Sequence, residues 1–292
     1  MENKFAGLNI FEFQNRFPDE DSCLWYLSEL KFADGFVCPQ CGHSHYCQGN
    51  RKYDRQCTRC HHTESPTSGT LFHKVKFSLL KAFYIVYYVS TSKKGISSTE
   101  LSRKLGLRQK TCWSFKQKVM REMKSSVTCP MKGRVEVDET VVGAEEEGVR
   151  GRKNGKKKLV VIAIEKKGRG VSRMYGKVIS ASTSKELGNF MKETISEEAE
   201  ITTDGWISYK SLGKYFPQIK HVLSGKKGSN FPDLHRVIMG FKGWLRGMHH
   251  QVENLQAYLD EYSYRFNRCQ MKVGIFENLI EKMIKAPPIM TK

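Results

Sequence analysis

Four cysteines in two CxxC pairs and two aspartates on strand-like segments are the side chains best spaced for chemistry. "CPQC" supplies Cys38 and Cys41, and "CTRC" supplies Cys57 and Cys60, with fifteen residues between the pairs. A CxxC turn brings two thiolates close enough to share one ion, and a second pair completes a tetrahedral set. The spacing predicts a closed, structural zinc site on a two-stranded ribbon, holding together a module too small for its own core. His43, His45, Cys47, His61 and His62 lie close by and compete as ligands. Histidines beside such turns are more often surface residues, so the four-cysteine set is the expectation.

The acidic candidates are more widely spread. "RVEVDETVVG", residues 134–143, alternates like a strand, with Val135, Val137 and Val141 between Glu136, Asp138 and Thr140. A carboxylate there could simply be solvated, or it could be a metal ligand awaiting partners. The next acid in an informative setting is Asp204 in "ITTDGW", where an apolar strand stops and Gly205 turns the chain. Ligands gather at strand ends in an open α/β sheet. Asp138 and Asp204 on adjacent strands would repel unless a divalent cation neutralised them. Alternation puts Glu136 on the face of Asp138 and turns Glu139 away from it.

Four regions position these residues. Residues 1–32 are helical, with "PDED" as the start signal of a second helix. Residues 33–64 are the zinc ribbon. Residues 65–128 are mainly helical: "LLKAFYIVYYV" reads as a buried helix, and "GISSTELSRKLGLRQKTCWSFKQKVMREM" as a helix-turn-helix-like pair. Its first helix starts at Ser97 or Ser98 and carries Leu101 and Leu105, and Gly106 interrupts it. The second puts Trp113 and Val119 on one face and carries Arg108, Gln109, Lys110 and Lys116, which suits a DNA-recognition helix. Residues 129–292 form the largest domain. Three strand patterns, a helix, a strand, a short helix, another strand and two closing helices there imply an α/β fold around a mixed sheet.

The chain carries a net charge of +19 over 292 residues, with six basic residues in the nine of "RGRKNGKKK", 150–158. That excess points to a polyanionic partner, most often nucleic acid, and to salt-sensitive phosphate contacts. No apolar run approaches the length of a membrane span, and the N-terminus lacks the basic-then-apolar pattern of a secretory signal. Together with nine cysteines, an odd count, this predicts a cytoplasmic protein with a metal site rather than a disulfide framework.

The order of these parts, with "VDET", "TDGW", "LHRVI" and the tail "YLDEYSYRFNR", resembles the bacterial insertion-sequence transposases of the ISXO-like group, from about Phe11 to Arg268. The paired cysteines are common to many families; "VDET" and the tail are the specific parts. The resemblance implies a DDE-class enzyme with a ribonuclease-H-like catalytic domain. It also implies strand cleavage and strand transfer at insertion-sequence ends by two-metal phosphoryl transfer. Asp138 would bridge two divalent ions about 3.5–4 Å apart, one activating water or a DNA 3′-hydroxyl and the other stabilising the leaving oxygen.

Its third ligand falls on the helix after the last strand, at His235, with the basic Lys242 seven residues on to hold a phosphate or terminal base. Glutamate is the usual third ligand of the wider class. An imidazole there favours Mn²⁺ over Mg²⁺, which prefers oxygen. Asp233 is the competing ligand, or else a helix cap. Trp206 and Tyr209 could stack on a base or pack in the core, Trp244 reads as core, and His249, His250 and Arg265 could support the site or contact DNA. The implied partners are double-stranded DNA, as terminal inverted repeats and target, and further copies of the chain in a homo-oligomer on the bacterial nucleoid. The alternative is a zinc-ribbon DNA-binding regulator with an inactive catalytic domain; a ribonuclease-H-like nuclease of RNA–DNA hybrids is a third reading. Metal-dependent strand transfer separates the enzyme from the regulator.

Overall fold

A computed structural model describes residues 8–124, 130–143, 157–223, 225, 229–247, 254–269 and 274–289. Contacts along the chain divide it into two units, Met1–Glu122 with Met271–Lys292, and Met123–Gln270.

The first unit opens with α1 (Ile10–Arg16) and α2 (Glu20–Lys31). Each begins at a reciprocal cap: the Glu12 N–H donates to Asn9 Oδ1 while the Asn9 N–H donates to Glu12 Oε2, and Asp19 and Ser22 do likewise. Such caps satisfy amide donors that a helix leaves open. β1 (Tyr46–Gln48), β2 (Arg55–Cys57) and β3 (Thr63–Glu64) form an antiparallel sheet in that order. The sequence suggested two strands. A third is added because Glu64 is anchored: Lys31 Nζ donates to Glu64 Oε1 (2.5 Å) and to the carbonyls of Ser65 and Ser68.

Next come α3 (Leu79–Thr91), α4 (Ser98–Leu105) and α5 (Gln109–Glu122). Helix α3 is apolar on most sides and buried. Helix α4 starts where expected, with Ser97 Oγ accepting from the Glu100 N–H at 3.1 Å, and ends at Gly106 in the left-handed conformation that glycine adopts without strain. Two expectations for α5 are corrected. Lys116 is not on a recognition face: it is 1% exposed, and its Nζ donates to the Ile96 carbonyl at 2.8 Å. Trp113 does not share a face with buried Val119 but stands 49% exposed. Six residues is about 240° around a helix, which separates the two.

The second unit holds β4 (Arg134–Val142), β5 (Lys158–Lys167), β6 (Gly170–Ile179), α6 (Ser184–Thr194), β7 (Glu200–Thr203), α7 (Ile207–Lys210), β8 (Ile219–His221), α8 (Pro232–Arg246) and α9 (Leu255–Asn267). The sheet order is β6-β5-β4-β7-β8. β5 runs antiparallel to both β4 and β6, and β7 and β8 run parallel to β4. This is a ribonuclease-H-like mixed sheet.

One sheet face buries Val135, Val137, Val161 and Ala163 with Leu187, Phe190 and Met191 of α6. β6 is an edge strand, and α9 closes it. The Gln256 side chain pairs with the Val178 N–H and Gly176 carbonyl, and the Asn267 side chain with the Met174 N–H and carbonyl. These amides, three helical turns apart, satisfy groups that an open edge would offer to another chain. The "LQAYLDEYSYRFN" segment thus has a structural role. A Cβ on Gly176 would lie 2.8 Å from Leu259 Cδ2, so α9 can approach only a glycine there.

The catalytic domain had been extended to residue 292. α10 (Gly274–Lys285) instead packs on α3, α2 and α5 in the first unit. Its buried Phe276, Leu279, Ile280 and Met283 fill the aromatic core around Phe13, Phe17 and Phe83, while Arg16 pairs with Glu277 at 2.6 Å.

Candidate active site

The parallel register of β4 and β7 pairs Val137 with Thr203, so Asp138, midway along β4, and Asp204, just past the end of β7, follow side by side. Ligand oxygens of Asp138, Asp204 and Glu139 all lie within 4.8 Å of one another. The backbone orients two of these carboxylates. Asp138 Oδ1 accepts from the Glu139 N–H (2.8 Å), and Asp204 Oδ1 from the Trp206 N–H (3.1 Å).

Glu139 was expected to face away. β7 stops pairing at Val137, so the next part of β4 has open space on that side, and the Glu139 carboxylate joins the other two. Tyr209 fixes it there, its hydroxyl donating to Glu139 Oε2 at 2.8 Å. Burial and the carboxylate of Glu139 push the Tyr209 phenol well above its ordinary range, so it remains a proton donor. Tyr209 is therefore a core residue with a site function, and sequence spacing alone did not reveal it.

His235 arrives from α8. Pro232 suits the first position of that helix, which places His235 one turn in, and its Nε2 lies 3.8 Å from Asp138 Oδ2. That nitrogen is buried and has no hydrogen-bond partner among the described residues. A buried, unmatched nitrogen aimed at a carboxylate is costly as it stands and suits a shared cation. Asp233 neither caps α8 nor turns to the cluster. Its Oδ2 lies 3.0 Å from Lys166 Nζ, and its Oδ1 accepts from Arg236 at 2.8 Å.

Lys242 lies two turns beyond His235 on α8 and is half-buried. Burial, with the charges of Arg246 and Lys157, holds its ammonium below the usual lysine range. Trp206 is 38% exposed, and Trp244 packs against Phe241 and Tyr262. Arg265 pairs within α9 with buried Glu261 at 3.0 Å, so it is committed to the fold. His249, His250 and residues 150–156 of the basic run lie outside the described residues.

In the first unit, Cys38, Cys41, Cys57 and Cys60 bring their sulfurs within 4.8 Å of one another. Cys38–Cys60 is 3.5 Å and Cys41–Cys57 is 3.6 Å, close to the roughly 3.8 Å edge of a tetrahedron of 2.3 Å zinc–sulfur bonds. The two knuckles repeat one backbone pattern. The Gly42 N–H donates to the Cys38 carbonyl and the His61 N–H to the Cys57 carbonyl, with both Gly42 and His61 left-handed. Four thiols so close do not titrate independently. Burial pushes Cys57 up, but the N–H groups of Cys60 and Arg59 and the nearby thiols pull it to about 6. For Cys60 the His62 N–H pulls down, yet burial and the other three thiols prevail and push it to about 12. The nearby histidines are engaged elsewhere: His43 contacts Thr58 and His62 contacts Glu64, each at 3.1 Å.

Residues 130–267 match the model of the ISXO2-like transposase domain, and residues 18–63 match the transposase zinc-ribbon domain. The chain thus carries an ISXO2-like transposase domain behind a transposase zinc ribbon. The two models enclose both ligand clusters and leave the segment of α3, α4 and α5 between them unmatched. No curated protein matches.

Solved structures similar to this transposase include the Mos1 strand transfer complex, at 10% identity and TM-score 0.32, covering 72% of this chain and 79% of that one. A pre-cleavage Mos1 transpososome has 12% identity and TM-score 0.27, with 70% and 79% covered. The Mos1 transposase paired-end complex with left transposon end has 11% identity and TM-score 0.30, with 69% and 78% covered. Likeness that slight carries no argument. Among the described residues no helix is long and apolar enough to cross a membrane.

Proposed function

We propose that this transposase cleaves and joins DNA strands at insertion-sequence ends, and that Asp138, Asp204 and His235 hold its divalent ions. The observation that carries this reading is the convergence, from residues far apart in sequence, of the Asp138 and Asp204 carboxylates and the buried, unmatched Nε2 of His235. Bound there, Mg²⁺ or Mn²⁺ supplies Lewis-acid stabilisation to the attacking and leaving oxygens of an in-line phosphoryl transfer.

The protein's own part is placement and charge. Asp138 lies between Asp204 on one side and His235 on the other, so it is the shared ligand. Glu139, held by Tyr209, is a fourth donor or the acceptor of the nucleophile's proton. Lys242 projects from the helix that carries His235, and an incoming phosphate would relieve its crowding with Arg246 and Lys157. In the first unit the four cysteines hold structural zinc. α5 turns Lys110, Trp113 and Arg121 outward as a DNA-contacting face, with the terminal inverted repeats and target as its duplexes. Joining two ends calls for a homo-oligomer, and the reaction belongs on the bacterial nucleoid in the cytoplasm.

Asp138→Asn tests the reading. The variant should bind a duplex carrying the element end as well as wild type and yield no strand-transfer product in Mg²⁺ or Mn²⁺. Joining at the wild-type rate would refute it.

A further inference from the structure

Glu136 and Asp138 stand two residues apart on one face of β4, and Asp233 and His235 stand two residues apart at the start of α8. Each acid of β4 thereby faces one residue of α8. At one level Asp138 Oδ2 and His235 Nε2 are 3.8 Å apart. At the other, Lys166 Nζ lies 3.0 Å from Glu136 Oε1 and 3.0 Å from Asp233 Oδ2. Two oxygens each 3.0 Å from one nitrogen are at most about 6 Å apart. Carboxylates that close repel, and the ammonium between them offsets the repulsion.

Lys166 reaches this place through the sheet. Glu136 pairs with Ile164 across β4 and β5, so Lys166 is its diagonal neighbour on the same face. The β5–β6 register shifts between Glu165 and Lys166, and such irregularities re-aim a side chain. Asp233 is saturated by Lys166 and Arg236. Glu136 is only 8% exposed, and its Oε2 is buried with no hydrogen-bond partner among the described residues. A cavity of about 190 Å³ lined by Arg134, Glu136, Lys166, Glu200 and Lys220 opens beside Glu136 and Lys166.

We propose that Lys166 is a built-in cation: it fills the place between Glu136 and Asp233 that a divalent ion would otherwise take, and so positions α8 with His235 turned to Asp138. Lys166 is thus a positioning residue, and Glu136–Asp233 is a divalent-ion site kept closed by a lysine. The inference rests on the reading of Asp138, Asp204 and His235 as metal ligands. A +1 side chain tethered to β5 holds the helix without adding an exchangeable ion beside the reacting ones. With the lysine gone, the acid pair, its spare oxygen and the adjoining cavity are what a hard divalent cation requires.

Mn²⁺ titration of the full-length, zinc-loaded protein without DNA, with free Mn²⁺ read by electron paramagnetic resonance, tests this. Wild type and Lys166→Arg should bind equal numbers of ions per chain. Lys166→Met should bind one more, and adding Asp233→Asn should abolish the extra ion. If Lys166→Met fails to fold, judged by zinc content and melting, Lys166→Gln replaces it. Asp138→Asn reports on the underlying reading: an unchanged ion count there would overturn the assignment of the catalytic ligands. If Asp138→Asn lowers the count while Lys166→Met or its replacement binds no more than wild type, the built-in cation is refuted. An extra ion in Lys166→Arg would refute it as well.

Discussion

The cysteine cluster and the acidic cluster each gather ligand atoms within 4.8 Å of one another, but over different lengths of chain. The cysteines fall within 23 residues, and each pair is set by one turn of backbone hydrogen bonds. Asp138, Asp204 and His235 span 98 residues, and nothing local brings any two of them together. A parallel strand register aligns the aspartates, and a helix laid on the sheet supplies the histidine. The first site is folded by its ion. The second depends on strand register and helix packing across the whole second unit.

The sharpest way to break the comparison is to remove one ligand from each site. Cys57→Ser should unfold the ribbon, because zinc binding and folding are one event worth on the order of 10 kcal/mol in such modules. The expected result is loss of zinc by metal analysis and loss of amide-exchange protection over residues 38–64, with the second unit still protected. His235→Ala should leave the melting temperature nearly unchanged. It should raise the Mn²⁺ concentration for half-maximal strand transfer on the order of a hundredfold, at the upper end of the roughly 10- to 100-fold typical of losses around the ligands. A fall in melting temperature as large as that of Cys57→Ser would erase the distinction.

Tyr209→Phe sharpens it further. It removes one hydroxyl that orients Glu139 without touching an aspartate. Strand transfer should fall about tenfold, with Mn²⁺ affinity reduced less than in His235→Ala. The smallest effect concerns the frame alone. Glu165 is buried, which pushes its carboxyl up, but Arg173, Ser172 and the Lys132 N–H outweigh this and hold it at about 2. A carboxylate depressed on folding gives stability that is complete above its ordinary 4.5 and is lost as pH falls toward 2. Glu165→Gln should therefore cost roughly 2 kcal/mol near neutrality. Its penalty should shrink in melting curves recorded from pH 4.5 downward; a penalty that does not vary over that range would contradict the account.

What could be read in advance follows the same division. The CxxC pairs, the Ser97 cap and Gly106 are local signals, and each acts within a few residues of where it is written. The strand alternation around Asp138 was equally legible. Alternation misjudged Glu139, because it sets only where the Cβ points: β7 stops pairing one residue short of Asp138, and the longer glutamate side chain, held by Tyr209, brings its carboxylate to the other two. Helical spacing and charge likewise assigned Lys116 to a DNA face. Its four-carbon stem can be buried if one carbonyl receives the ammonium, and Ile96 does so.

By itself, then, the order of residues determined the two cysteine knuckles, the start and stop of α4, and which segments are extended, since backbone geometry over a few residues suffices for each. Only the tertiary structure set His235 beside Asp138 and Asp233 beside Lys166, brought Glu139 and Tyr209 to the carboxylates, and gave the last helix to the first unit. Those outcomes depend on which side chain a distant cation or core reaches first: Lys166 takes Asp233, and the aromatic core takes α10. Such competition among remote partners leaves no trace in local spacing.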